Sequence, residues 1–141
     1  MSGAPDLERF VTAQAPVYAQ ALAELERGRK ESHWMWFVFP QLAGLGQSAM
    51  SRHYGLASAH EARLYLAHPV LGGRLLECTG AVLRHRGAPA DGVFGSVDAL
   101  KFRSSMTLFD AVAGAAAPSF GEALGAFYGG ERDPATLRLL G

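Results

Sequence analysis

The chain has 141 residues, 49% of them hydrophobic, with 13 basic and 13 acidic side chains. That is enough for one domain around one apolar core, and too apolar for a disordered chain. The balanced charge argues against a protein that holds nucleic acid by broad electrostatics, though not against recognition of one nucleotide in a pocket.

Helix signals dominate in chain order. Asp6 is placed to cap a first helix carrying Leu7, Phe10 and Val11 on one face. Pro16 suits the first turn of a second, with Val17, Ala21, Leu22 and Leu25 at helical spacing and Gly28 as its end. The cluster Arg27, Arg29 and Lys30 reads as a solvated helix terminus. Residues 33–39, His33-Trp34-Met35-Trp36-Phe37-Val38-Phe39, hold both tryptophans and read as a short buried helix or extended piece. Pro40 ends it by disfavouring helical backbone at Phe39. Residues 40–47 form a loop, and a short helix from about Ser48 to Tyr54 stops at Gly55.

Ser58 and Glu61 form a capping box that opens a helix through Ala67. His68-Pro69 is a helix junction, followed by a helix with Val70, Leu71, Leu75, Val82 and Leu83 as its stripe, ending before Gly87. Residues 87–92 read as a turn-rich linker. The next helix spans about Ser96 to Ala113, with Leu100, Met106, Leu108, Phe109 and Val112 apolar. Ser119 and Glu122 form a second capping box, and Asp133-Pro134 an N-cap with proline at the first helical position. The expectation is a single all-α domain over residues 1–141 with about seven or eight helices, several short.

The motifs His33 to Gln41, Gly44-Leu45-Gly46, Ser51-Arg52-His53-Tyr54, Tyr65-Leu66-Ala67-His68-Pro69-Val70-Leu71-Gly72 and Asp98-Ala99-Leu100-Lys101-Phe102-Arg103-Ser104-Ser105-Met106-Thr107-Leu108-Phe109 resemble the bacterial and fungal domain of unknown function 1810 family. The resemblance covers nearly the whole chain and implies a compact all-α fold with no established activity. The family is sometimes labelled calpastatin-like. Calpastatin inhibitory segments are disordered, whereas this composition is that of a packed domain. The aromatic-rich start, the Ala62 to Arg74 junction and the helix with Asp98, Lys101 and Phe102 are also similar, at the level of helical organisation, to the NADAR group. That likeness implies hydrolysis of an N-glycosidic bond in a ribosylated compound.

Gly44-x-Gly46-x-x-Ala49 matches the spacing of a dinucleotide fingerprint but lacks its preceding strand and long following helix. Two readings stay open for it. Loop amides and the Ser48 hydroxyl hold an anion at a helix start, or the loop is a tight turn with Ser48 as N-cap. Asp98, Lys101 and Ser105 fall on one helix face with Ser104 adjacent, a charge plus hydroxyls suited to a phosphate or carboxylate. The plain alternative is an Asp98–Lys101 pair of little energetic weight. Lys101 is expected close to the 33–48 segment and partly shielded from water.

His33 beside Trp34 suits acid–base or stacking chemistry, and two indoles suit a flat ring; the alternative is that this cluster is core. The candidate site therefore joins His33 and Lys101 as catalytic candidates to Trp34, Trp36, Gln41, Gly44, Gly46, Ser48, Tyr54, Asp98, Ser104, Ser105 and Thr107 as ligand contacts. Its expected partner is a small anionic ligand of the nucleotide or ADP-ribose type. The competing function is a non-catalytic protein-interaction module using the aromatic segment. The histidines show no zinc spacing and one cysteine cannot form a thiolate set, so neither a metal nor an organic cofactor is expected. Cys78 reads as an inert buried thiol. The start Met1 to Asp6 has neither a charged nor an apolar leader segment and no apolar run is long enough to span a membrane, so a cytoplasmic protein is expected.

Overall fold

The computed structural model describes residues 6–141, and they fold into ten α-helices and one 3-10 turn, with no strand among them. In order these are α1 (Glu8–Gln14), α2 (Tyr18–Arg27), α3 (Met35–Val38), α4 (Ala49–Tyr54), α5 (Ala59–Ala67), α6 (Leu71–Leu83), α7 (Ala90–Phe94), α8 (Ser96–Ala113), the turn Gly114–Ala116, α9 (Ser119–Tyr128) and α10 (Pro134–Leu140). The all-α expectation holds. The count exceeds the expected seven or eight because α3 and α7 are single turns.

Side-chain N-caps start three of the ten helices. Ser48 accepts from the Ser51 amide at the start of α4, Ser58 from the Glu61 amide at the start of α5, and Asp133 from the Thr136 amide at the start of α10. Glu61 returns its carboxylate to the Ala57 amide at 2.7 Å, so the capping box closes one residue early. His68 Nδ1 accepts from the amides of Val70 and Leu71, which seats the first turn of α6. Gly28 ends α2 in the left-handed conformation at φ +77.

Three expectations fail locally. Leu7, not Asp6, stands at the N-cap of α1, and no side chain among the described residues caps it. Pro118 precedes α9, and Ser119 makes no capping bond. The linker 87–92 contains the start of α7, whose Ala90, Val93 and Phe94 are buried at i, i+3 and i+4 spacing; a glycine inside this turn concealed it.

Helix α8 is the centre of the fold, packed by α5, α7, α9 and α10. Phe102, Met106, Leu108 and Phe109 on it are wholly buried, and Phe102 meets Phe39 edge-on at 5.0 Å and stacks on Phe94 at 4.6 Å. Its first turn does not follow: Val97 and Leu100 are exposed, so Leu100 is not the core residue that its place in the sequence suggests. Phe10, Trp34, Tyr65 and Phe120 complete one continuous core. Among the described residues, no helix is long and apolar enough to cross a membrane.

Candidate functional site

The chain has two lysines and two tryptophans, at positions 30, 101, 34 and 36, and the fold places all four around Asp98. The placement begins at Glu24, a buried carboxylate on α2. It accepts from the amides of Glu31 and Ser32, the Ser32 hydroxyl, the Trp34 indole and the Gln20 side-chain amide. Burial pushes its carboxyl up, but the Ser32 hydroxyl, the two amides and the indole together outweigh it and hold the group at about 2. Glu24 thereby shapes the loop from Gly28 to Trp34.

That loop delivers Lys30. Its amide donates to Val93 O at 2.7 Å on α7, fixing the backbone. Its ammonium donates to Ser32 O at 2.6 Å, pairs with Asp98 Oδ2 at 2.8 Å and lies 5.0 Å from the centre of the Trp34 ring. Lys30 is therefore not part of a solvated helix end: its side chain is 6% exposed. The first turn of α8 supplies the other half. Lys101 pairs with Asp98 Oδ1 at 3.5 Å and lies 4.6 Å from the Trp36 ring centre, with its side chain 22% exposed. Two ammonium groups share one carboxylate, leaving a surplus positive charge, and Lys101 is the more accessible of the two.

Trp36 also walls a narrow cleft of about 10 Å³, shared with Gln41, Leu42, Gly46, Ser51 and Tyr54. The loop 40–47 is tied down across it by a short bridge, Ala43 N to Leu56 O at 2.8 Å and Leu56 N to Gln41 O at 2.9 Å. A Cβ on Gly46 would stand 2.4 Å from Ser51 Oγ, so only glycine lets the loop close on α4.

The remaining candidates are dispersed. Trp34 is buried, its indole N–H donating to Glu24 at 2.9 Å, which leaves it the floor under Lys30. His33 is exposed. Ser48 is the N-cap of α4, with its hydroxyl also 2.9 Å from Ser51 Oγ, as the tight-turn reading requires. Gly44 is exposed at φ +100 at the loop tip. Ser104 donates to Asp133 Oδ2 at 2.9 Å, and Thr107 donates to Arg103 O and accepts from the Asp133 amide, so both anchor α10. Ser105 is wholly buried, with no partner for its hydroxyl among the described residues. The structure thus gathers Lys101, Asp98, Trp34 and Trp36, sets Gln41, Gly46 and Tyr54 along the adjoining cleft, and directs Ser104 and Thr107 elsewhere. Lys30, Glu24 and Ser51 were missed. The signal for Lys30 was its rarity in a chain whose other basic residues, apart from Lys101, are arginines.

Cys78 is buried against Tyr18, and burial pushes its thiol up to about 12. Among the described residues, no three His, Cys, Asp or Glu side chains gather as a metal-binding group.

No curated protein matches the chain. It is similar to a conserved hypothetical protein from Mycobacterium tuberculosis, solved by crystallography, at 52% identity over 96% of each chain with a TM-score of 0.92. Residues 4–140 match the family described as "Protein of unknown function (DUF1810)". With the match running over almost its entire length, the chain belongs to the DUF1810 family.

Proposed function

We propose that the chain binds a small anionic ligand carrying a flat ring, of the nucleotide or ADP-ribose class, on the face formed by Lys101 and Trp36. The observation that carries this reading is the shared carboxylate: Asp98 balances one of two lysines, and the surplus charge rests on Lys101, the less buried of the two, beside the half-buried Trp36 indole. An ammonium serves a phosphate as a point charge, and an indole face serves a base. Asp98 is engaged by both lysines and His33 stands at the surface, so this is a reading of binding, and N-glycosidic hydrolysis rests on the NADAR likeness alone.

A thermal-shift screen of nucleotides, ADP-ribose derivatives and sugar phosphates tests it. A ligand at a hundredfold its Kd stabilises the fold by about 2.7 kcal/mol. No shift with any compound of the class would contradict the proposal.

A second reading has one observation in its favour. Val97 and Leu100, 66% and 64% exposed, flank Lys101 on the first turns of α8 and suit a protein-interaction surface. Replacing both with serine separates the two: it removes partner capture on the second reading and spares ligand binding on the first.

A further inference from the structure

Trp36 presents two different features to its surroundings. Its ring face meets the Lys101 ammonium, while its indole N–H is buried with no acceptor among the described residues. A buried donor without an acceptor is costly and is normally satisfied by protein or by ordered water. The residue lines a cleft of about 10 Å³, the room of about one water molecule. A water needs two to four polar partners, and the cleft's lining residues include three with polar side chains, Gln41, Ser51 and Tyr54.

We infer that this cleft is a binding site for a single acceptor oxygen, received by Trp36 Nε1. In the free protein the oxygen is that of one long-lived water. In the complex it belongs to the ligand, whose anion stands at Lys101 across the same indole. This second half rests on the proposed function; the first does not. The cleft would then select, within that class, compounds carrying a carbonyl, hydroxyl or phosphoryl oxygen that reaches past the ring edge. Displacing an ordered water is favourable only when the incoming group reproduces its hydrogen bonds, which makes the cleft a specificity element.

Magnetic resonance on the ¹⁵N-labelled full chain tests both halves, with ADP-ribose as probe. Two indole N–H signals are expected, and Trp36→Phe deletes one and so assigns them. The Trp36 indole proton should show a long-lived contact to water that survives Tyr54→Phe, which excludes relay through that hydroxyl. The Trp34 indole, held by Glu24, should show none. Saturating ADP-ribose should abolish the Trp36 water contact, and Trp36→Phe should weaken ADP-ribose about tenfold. Absence of the water contact overturns the inference. ADP-ribose binding that leaves the contact and is unaffected by Trp36→Phe overturns the displacement. A water contact with no ADP-ribose binding leaves the cleft assignment standing and counts against the proposed function instead.

Discussion

Glu24 has five donors on its two oxygens, and the loop bearing Lys30 and Trp34 takes its shape from them. Its carboxyl lies at about 2 in the fold against an ordinary 4.5, so the folded state favours the charged form. The stabilisation is fully present above about pH 4.5 and is lost as pH falls from there towards 2; over that window it amounts to about 3 kcal/mol. Urea unfolding across pH should show this loss, and Glu24→Gln should be less stable at neutral pH with a flatter acid limb. An acid limb unchanged by the substitution would remove Glu24 from its place. Nothing in the sequence distinguished this glutamate from the exposed ones around it. Its partners are backbone amides and side chains of a loop whose path only the tertiary fold sets.

Helix existence was legible wherever periodicity ran for two turns or more, and the Ser48, Ser58 and Asp133 caps were legible from residue type alone. What the pattern missed was set by contact. Val97 and Leu100 are apolar like the rest of α8, but the fold leaves both exposed. Ser104 and Thr107 looked like ligand donors because the segment that consumes them lies about 29 residues later in the chain. Asp133→Ala tests that assignment. It removes the acceptor of Ser104 Oγ and of Thr136 N and Oγ1, and should cost about 1–2 kcal/mol, with faster amide exchange in Pro134–Leu140 and undiminished ligand binding. Packing of α5 against α6 gives a sharper expectation. A Cβ on Gly72 would stand 1.9 Å from Leu66 O, a backbone atom that cannot swing aside. Gly72→Ala should therefore destabilise at or above the top of the usual overpacking range, about 3 kcal/mol, read by chemical denaturation. Gly73→Ala, which meets nothing within 4 Å, should not.

One core spans α1 to α9, so the molecule should open as a unit rather than piecemeal. Cys78 reports on this. It is buried, with its thiol pushed up to about 12 by burial, and a thiol reagent should reach it only as fast as the chain unfolds. Labelling far faster than unfolding would show a local opening of α6. The candidate site sits where three parts of this core meet the surface: the loop held by Glu24, the single turn α3 and the start of α8. From the sequence, the pairing of Lys101 with Asp98 and its nearness to the aromatic segment were readable; the second lysine was not, because the loop that turns it inward is held by Glu24. The most direct test is isothermal titration of ADP-ribose into the wild-type chain and into Lys101→Met. Lys30, 2.8 Å from Asp98, remains to pair that carboxylate when Lys101 is removed, so the fold should lose less than about 1 kcal/mol. Binding by the wild type that disappears in a stably folded Lys101→Met is the predicted result; equal affinity in the two proteins would contradict it.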